Sequence, residues 1–286
     1  MRYAFIAAHQ KEYGVQVLCQ ALGVGRSGYY AWRQRGRSVR ETWDQDLVGK
    51  IESTYQDSRQ TYGSPRIHAA LRRQGVVCGR KRVAQLMRAH GIVARRQRKR
   101  FPVTTQRQPG ALPAPNLLNQ EFSASAPNRK WVTDITYIET AEGWLYLAPI
   151  LDLYSRQVVG WAMADHLGAE LVGSALRMAL ANRRPPTGFL HHSDQGGQFT
   201  SLAYQCLLLA HDCQISMSRV GNCYDNAVME SFFSTLKSEC ATGPFASRAQ
   251  ARRAIFEYIE VWYNRQRLHS TLGYLPPVEF ELKSGN

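Results

Sequence analysis

The succession of short β-rich and helical stretches after residue 130 restricts the fold of this chain more than any other feature. Three stretches rich in β-branched and aromatic residues follow one another with short turns between them, which is typical of consecutive strands. The predicted elements are strands at residues 130–139, 143–154, 156–165, 186–194 and 213–219, and helices at 168–182, 200–212 and 226–240. The order βββαβαβα predicts an α/β domain with a mixed sheet and helices on its faces.

Three acidic residues lie where this order brings side chains together. The order matches that of the ribonuclease H-like fold. Asp134 lies in the middle of the first predicted strand and Asp194 at the end of the fourth, and ligands of open α/β sheets gather outside such strand ends. Glu230 lies on the helix after the fifth strand, on a polar stripe that faces away from the apolar one. We therefore expect the three carboxylates to converge at one edge of the sheet.

A cluster of three carboxylates implies bound cations. Carboxylates that share a site raise one another's pKa unless cations neutralise them. Two Mg²⁺ or Mn²⁺ ions about 4 Å apart suit such oxygen ligands, can activate a water and stabilise the leaving oxygen of a phosphodiester. Taken singly, Asp134 could pair with a lysine or cap a turn, Asp194 could serve turn chemistry alone, and Glu230 could be solvated. The prediction therefore depends on the combination of the three.

Positive charge is concentrated in one segment of the chain. There are 36 Lys and Arg residues against 22 Asp and Glu, a formal net charge of +14. No acid occurs from Ser58 to Gln120, a segment that contains 14 Lys and Arg residues. A solvated surface normally mixes both signs. The segment therefore predicts a polyanionic partner, above all nucleic acid.

The chain divides into three predicted parts. Residues 1–57 form a helical region that resembles a helix-turn-helix around the glycines at 23–25. Residues 58–120 form a basic helix-turn-helix and linker that bind DNA. Residues 121–286 form the catalytic core, with a C-terminal helix and tail.

The cations at the start of one helix in the second part point to phosphate. The predicted helix Arg80–His90 is ended by Gly91, and three cations at its N-terminus oppose the helix dipole unless an anion lies nearby. Such a helix would meet DNA, followed by a basic extended linker. The DNA-binding residues predicted here are Arg80, Lys81, Arg82, Arg95, Arg96, Arg98, Lys99 and Arg100.

Several classes of protein do not fit the sequence. No apolar run approaches the ~18–20 residues of a membrane span, and the apolar stretch at the N-terminus is too short for a signal peptide. The six cysteines form neither a C-x-x-C pair nor a zinc-finger spacing. We expect reduced thiols in a cytoplasmic protein.

Motifs along nearly the whole chain resemble one family. WVTDITYI, HHSDQGGQFTS and DNAVMESFFSTLKSE closely resemble the D, D(35)E signature of retroviral-integrase-like transposases, and 35 residues separate Asp194 from Glu230. WYNRQRLHSTLGYLPP resembles the C-terminal Y-N-x-x-R-x-H-x-x-L-G-Y-x-x-P segment of that family. LGVGRSGYYAW and YGSPRIHAAL resemble N-terminal motifs of the OrfB subunits of insertion-sequence transposases of the IS3 type.

The resemblance implies roles for individual residues. The implied metal-binding catalytic triad is Asp134, Asp194 and Glu230, which would hold two Mg²⁺ or Mn²⁺ ions. The implied DNA-phosphate contact near the active site is Lys237. The residues implied at the rim of the active site are His192, Gly196, Gly197 and Asn226.

Four further polar residues were weighed against these. Asp152 is interpreted as structural, pairing with Arg156 or capping the turn. Asp225 ranks below Glu230 because it lies one residue before the polar stripe. Arg267 and His269 either bind phosphate or tie the last helix to the core.

The resemblance also implies an activity. The enzyme would cleave DNA at transposon ends, and the 3′-hydroxyl produced would attack a second phosphodiester without a covalent enzyme intermediate. Its implied partners are the terminal inverted repeats, target DNA, further copies of itself, and an upstream-frame (OrfA) protein or fusion, in the bacterial cytoplasm at the nucleoid. The zinc module of retroviral integrases has no counterpart here. Two alternatives are a ribonuclease H-like nuclease that only hydrolyses, and a catalytically decayed DNA-binding regulator.

Overall fold

A mixed β-sheet forms the centre of the structure, a computed structural model that describes residues 1–35, 38–95, 114–219 and 221–284. The strands are β1 (Lys130–Thr133), β2 (Thr136–Ile138), β3 (Leu145–Asp152), β4 (Val158–Ala164), β5 (Leu190–Ser193) and β6 (Gln214–Met217). The α-helices are α1 (Arg2–His9), α2 (Val15–Ala21), α3 (Arg26–Gln34), α4 (Val39–Asp57), α5 (Ser64–Arg73), α6 (Arg80–Ala89), α7 (Ala169–Arg183), α8 (Leu202–Leu209), α9 (Ala227–Glu239), α10 (Arg248–Glu257) and α11 (Pro277–Ser284).

The sheet order across the core is β4-β3-β1-β5-β6, with β2 also paired to β3. Strand β3 runs antiparallel to β1, β2 and β4, whereas β1, β5 and β6 run parallel to one another. The meander followed by parallel strands is the arrangement that the order βββαβαβα predicts, so the predicted ribonuclease H-like sheet is confirmed.

The first predicted strand, 130–139, is interrupted in its middle. Both β1 and β2 keep one register against β3, with Thr133 opposite Ile150 and Thr136 opposite Leu147. Between them, the Asp134 carboxylate accepts the N–H of Ile135 at 2.7 Å. A short acidic side chain can compete with sheet pairing for a neighbouring N–H. Asp134 therefore lies at a strand break, which corrects its predicted position in mid-strand.

Helices cover both faces of the sheet because the strand side chains alternate. Trp131 packs in a core with α7 and α8, whereas the next residue, Val132, packs in a second core with α9. The apolar stripe of α9 buries Met229, Phe232 and Leu236 in that second core. Its polar stripe, which carries Glu230, is thereby turned away from the core.

The boundary predicted at residue 57 is wrong. Helix α4 begins at a capping box made by Ser38 and Glu41, and its residues Leu47 and Ile51 are buried in the same core as residues of α5 and α6. The buried face of α4 has no other core to join, so it belongs with the helices that follow it. We call α4–α6 the docked helical unit.

Helices α1–α3 form a small core of their own. The buried residues of that core are Ile6, Leu18, Cys19 and Tyr29. None of them belongs to either of the two cores around the sheet. The predicted pair of helices on either side of residues 23–25 is present as α2 and α3.

The C-terminal part is held along the edge strand β4. Helix α10 continues into a π-helical turn at Tyr258–Tyr263, and the following Asn264 bonds to both backbone groups of Val158 with its side-chain amide, at 2.9 and 3.0 Å. A side chain here takes the place of a further strand. The sequence predicted a last helix but not this contact.

The sequence also predicts that no segment spans a membrane and that the cysteines are reduced. In the part of the chain that the structure describes, no helix is both long and apolar enough to cross a membrane. The cysteines described as free are Cys19, Cys78, Cys206, Cys213 and Cys240.

Candidate active site

The carboxylates of Asp134 and Asp194 are placed by neighbouring parallel strands. Strand β1 pairs with β5 through Val132 and His192, and each acid follows the end of its strand. The Asp194 carboxylate accepts the N–H of Gly196 at 2.9 Å. A Cβ on Gly196 would lie 3.0 Å from the same carboxylate oxygen, so glycine permits this tight turn.

Glu230 reaches the same region from the first turn of α9. The side-chain amide of Asn226, at the N-cap of α9, donates to the carbonyl oxygen of Thr133 at 3.1 Å. That bond ties the start of the helix to the end of β1, next to Asp134. The three acids therefore come from three separate elements that are joined locally.

The charges of the two other acids act on the carboxylate of Asp134. Burial is the largest cause that raises the pKa of Asp134 well above its ordinary value, and the charges of Asp194 and Glu230 raise it further. The Ile135 N–H and the ammonium of Lys237 act in the opposite direction. Two neighbouring carboxylates destabilise the ionised form of Asp134, and a bound cation would stabilise it.

The donor chemistry of this site fits a divalent cation. All three candidate ligands are carboxylates, the oxygen donors that Mg²⁺ and Mn²⁺ prefer. Among residues 1–35, 38–95, 114–219 and 221–284, no group of three or more His, Cys, Asp or Glu side chains is already gathered closely enough to hold a metal ion.

His192 lies beneath the site and not at its rim. It is fully buried on β5, where residues 190–193 are all covered. Its two ring nitrogens hydrogen-bond with the hydroxyls of Ser216 and Ser218, at 2.8 and 3.0 Å. Burial lowers the pKa of His192 to about 4, so the ring stays neutral. Its part is to support the end of the strand that presents Asp194.

The other predicted rim residues differ in burial. Gly197 is half-buried, whereas Gly196 and Asn226 are buried. The Oδ1 of Asn226 has no hydrogen-bond partner within the described residues. Asn226 thus positions α9 through its amide N–H while its oxygen remains unmatched.

The predicted DNA contacts differ in how available they are. Arg82 is held by Asp44 of α4 in an ion pair, so it helps to build the docked helical unit. Arg80, Lys81 and Arg95 are exposed. Lys237 is half-buried. Burial lowers the pKa of its ammonium, and the charge of Asp134 partly opposes this shift. The remaining predicted contacts lie outside the described residues: Arg96, Arg98, Lys99 and Arg100.

Asp152 and Arg267 have structural roles. The Asp152 carboxylate accepts the backbone N–H groups of Asn128 and Tyr154, which confirms turn capping and not a pair with Arg156. Arg267 is buried in an ion pair with Glu239 at the end of α9. Of its two predicted roles, binding phosphate or tying the last helix to the core, the structure supports the second.

Asp225 has a larger structural role than its position in the sequence suggests. It is fully buried and accepts hydrogen bonds from Asn116, Gln120 and Arg219. These residues fix the turn directly before α9. An Asp-Asn pair just ahead of a strong helix was the available signal, but the partners from residues 116 and 120 could not be read from local spacing.

Comparisons with known proteins match most of the chain. Residues 124–223 and 211–277 match two integrase core domain families, and residues 42–100 match an HTH-like domain family. The chain is similar to "Transposase InsF for insertion sequence IS3A" of Escherichia coli (strain K12), with 45% identity over 287 residues that cover 99% of each chain. It is also similar to "Insertion element IS600 uncharacterized 31 kDa protein" of Shigella sonnei, with 45% identity over 93% of this chain and 98% of that protein.

The comparison with solved structures matches chains of viral integrase structures. The HTLV-2 integrase catalytic core domain in complex with magnesium aligns with 55% of this chain and 99% of its own, at 14% identity and a TM-score of 0.41. A chain of the simian T-cell lymphotropic virus intasome aligns with 74% of this chain and 69% of its own, at 15% identity and a TM-score of 0.43.

The near-complete alignment with the InsF transposase and the matched domains lead to one conclusion. The chain contains an HTH-like unit of the kind that binds DNA, ahead of an integrase core. It belongs to the IS3 family of insertion-sequence transposases, DDE enzymes that cleave and join DNA strands.

Proposed function

We propose that Asp134, Asp194 and Glu230 together carry the strand cleavage and strand transfer of this transposase. The observation that supports this assignment is the geometry: Asp134 and Asp194 follow the ends of the paired parallel strands β1 and β5, and the Asn226–Thr133 bond ties the start of the helix that carries Glu230 to the end of β1. After burial, the charges of the two other acids, Asp194 and Glu230, also raise the pKa of Asp134, which supports a shared site. DNA phosphate and metal ions are the natural partners of such a site in a DNA-joining enzyme.

Two Mg²⁺ or Mn²⁺ ions are proposed to bind these three carboxylates. When bound, a metal pair lowers the pKa of a water or hydroxyl and stabilises the leaving oxygen of the phosphodiester. The Ile135 and Gly196 N–H groups orient the carboxylates of Asp134 and Asp194. Lys237 adds a positive charge beside Asp134, suited to the phosphate of an approaching strand.

The DNA partners proposed are the terminal inverted repeats of the element and a target duplex. Cleavage would leave a 3′-hydroxyl, and that hydroxyl would attack a second phosphodiester in line. We further propose that the protein acts as an oligomer on DNA, with an upstream-frame OrfA partner or fusion, at the nucleoid in the bacterial cytoplasm. The family relationship and the basic segment from Ser58 to Gln120 support these partners.

The variant Asp194→Asn tests the proposed site. It removes one negative ligand at nearly constant size, so strand cleavage in Mg²⁺ should be abolished while binding of the element ends stays within about twofold of wild type. Duplexes that carry the sequences flanking the gene supply the ends. The exposed Asp212→Asn is the control and should cleave like wild type. Preserved cleavage with lost binding in Asp194→Asn would refute the assignment.

Joining separates a transposase from a nuclease that only hydrolyses. A pre-cut end with a free 3′-hydroxyl is supplied with a labelled target duplex. We expect covalent joining by the wild-type chain in Mg²⁺ and none by Asp194→Asn. Hydrolysis of the target without any joined product would favour the nuclease.

A further inference from the structure

A cleft of about 550 Å³ separates the docked helical unit from the catalytic helix α9. One wall comes from residues 61–66 and 94–95, and the other from α9 and the turn that starts at Ser270. The side chains in it that can donate to an anion include Arg66, Arg95, Ser234 and Ser270. The hydroxyls of Thr235 and Ser238 also border the cleft but donate to carbonyl oxygens of their own helix. The cleft is therefore lined by cations and hydroxyls from two units of the protein.

The charge of this cleft is positive. The wall from the docked helical unit belongs to the segment from Ser58 to Gln120, which has no acid. Glu239 also borders the cleft, but Arg267 neutralises it in a buried ion pair at 2.9 Å. Arg66 and Arg95 are left as the cations that face the opening.

Arg66 is held in place without being neutralised. Its Nε donates to the carbonyl oxygen of Leu268 at 3.0 Å, and its guanidinium lies 5.7 Å from the centre of the Tyr62 ring. Burial lowers the pKa of Arg66, and the nearby charge of Arg267 lowers it further. A fixed cation close to another cation gains stability from a bound anion.

The cleft continues from the proposed catalytic site. Ser234 and Ser238 follow Glu230 by four and eight residues on α9, one and two helical turns along the same face. Eight residues of helix span about 12 Å. A strand that lies in the cleft would thus lead towards Glu230.

We propose that this cleft binds the phosphodiester backbone of the DNA strand whose phosphate reaches the three carboxylates. Arginines and hydroxyls are the groups that proteins use to contact DNA phosphates, and such contacts fix the register of a strand without reading its bases. The inference rests on the proposed function. It assigns to the gap between the two units the task of aligning the strand with the site.

Charge placed in the cleft tests this assignment. Ser270 is exposed at the start of a short turn, where both Asp and Asn are tolerated. Ser270→Asp should weaken binding of a fluorescein-labelled random-sequence duplex about tenfold at low salt, whereas Ser270→Asn should stay within about twofold of wild type. Ser247→Asp adds the same charge outside the cleft, at a helix N-cap that favours Asp, and should bind like wild type. Equal affinities for Ser270→Asp and Ser270→Asn would overturn the proposal.

A second pair of variants measures the same contact by salt dependence. Arg95→Gln should lower the slope of log K against log salt by about one, because one phosphate contact is lost. Arg177→Gln removes an exposed arginine of α7 that does not line the cleft and should leave the slope unchanged. Identical slopes for both variants would also overturn the cleft assignment.

Both readouts measure binding alone. Absence of Mg²⁺-dependent cleavage by the wild-type chain would therefore count against the proposed function and leave the cleft result intact.

Discussion

The Asp225 carboxylate organises the turn that presents Glu230. It accepts three hydrogen bonds from Arg219, through the backbone N–H and the guanidinium, and one each from the amides of Asn116 and Gln120. The side chain of Arg219 is the main cause that lowers the pKa of Asp225 below its ordinary value. A buried charge with all its lone pairs engaged fixes the segments around it.

Asp225→Asn is expected to destabilise the protein by about 2–3 kcal/mol at pH 7, because one acceptor oxygen becomes an N–H₂ that faces donors. The folded-state pKa is lowered, so the contribution of Asp225 is present above the unfolded-state value of ~3.9 and is lost as the pH falls. Urea unfolding should therefore show a gap in unfolding free energy between wild type and variant that is constant from pH 7 to about pH 5 and narrows as the pH falls further towards 3.

The exposed Asp46→Asn is the matched control for this measurement. Asp46 pairs with Lys50 at 3.4 Å on the surface of α4, and such pairs contribute at most ~1 kcal/mol. A gap between Asp225→Asn and wild type that stayed constant with pH would show that the charge of Asp225 is not what holds the turn.

Local patterns selected the three acids as candidates, but they did not predict which residues surround them. Asp134 was expected in mid-strand because the β-branched residues on either side continue the alternation. Its break depends on a bond to Ile135 that composition does not encode. The family resemblance implies a rim position for His192, yet its partners, Ser216 and Ser218, come from the neighbouring strand β6 and the residues that follow it.

At the scale of elements, strand β4 and helix α7 approach each other closely at Gly160. A Cβ at this position would lie 2.5 Å from the carbonyl oxygen of Ala175 and 2.6 Å from the backbone nitrogen of Ala179. These are backbone atoms of α7, so relief requires the helix to move. Helix α7 can therefore pack this closely on the sheet only because residue 160 has no side chain.

Gly160→Ala is expected to cost about 3 kcal/mol or more of unfolding free energy, because the added methyl overpacks the interface. Gly49→Ala on the exposed face of α4 meets no atom within 4 Å and should instead stabilise by about 0.5–1 kcal/mol through helix propensity. Chemical denaturation of both variants gives the comparison. A loss below about 1 kcal/mol in Gly160→Ala would show that α7 can shift without penalty.

The end of α9 is fastened by a buried ion pair. Arg267 and Glu239 are almost fully buried, at 6% and 3% side-chain exposure. The Tyr258 hydroxyl and the Trp262 indole N–H also donate to the Glu239 carboxylate, each at 3.0 Å. The helix that carries Glu230 is thereby fixed at its far end to the C-terminal segment.

Removing either partner alone should cost about 3–5 kcal/mol, because a buried charge is left unpaired. A double-mutant cycle of Glu239→Gln and Arg267→Met measured by urea unfolding should give a coupling of at least about 2 kcal/mol. The exposed pair Glu170–Arg177 is the reference and should couple by less than about 1 kcal/mol. Equal coupling in the two pairs would mean that burial adds nothing to the contact.

Elements with a strong internal pattern were predicted, and elements held by distant contacts were not. Helix α9 and the five strand segments followed from periodicity and alternation. In the π-helical turn at Tyr258–Tyr263, Glu260 accepts the indole N–H of Trp161, and the amide of Asn264 bonds to Val158. Both partners lie about a hundred residues away in the sequence. The assignment of α4 failed for the same reason, since its apolar stripe is visible in the sequence but its packing partner is not.

At the scale of the whole molecule, the docked helical unit and the catalytic core are joined through the C-terminal segment. The backbone N–H of Leu268 donates to the Tyr62 hydroxyl at 2.7 Å, and its carbonyl oxygen accepts from Arg66. Arg59 pairs with Glu257 at 2.9 Å. The basic segment, which the sequence associated only with DNA, thus also has a structural face, and the proposed DNA cleft lies beside it.

Helices α1–α3 stand in contrast, because their small core shares no buried residue with the cores around the sheet. Deletion of residues 1–37 should therefore leave the thermal unfolding midpoint of the remainder within a few degrees of the full chain. The deleted part contains six Lys and Arg residues and one Glu, so affinity for a random-sequence duplex at low salt should fall. Differential scanning calorimetry and anisotropy measure the two effects separately. Loss of cooperative unfolding in the truncated chain would show that α1–α3 stabilise the catalytic core directly, whereas an unchanged midpoint with weaker DNA binding would assign them to DNA contact.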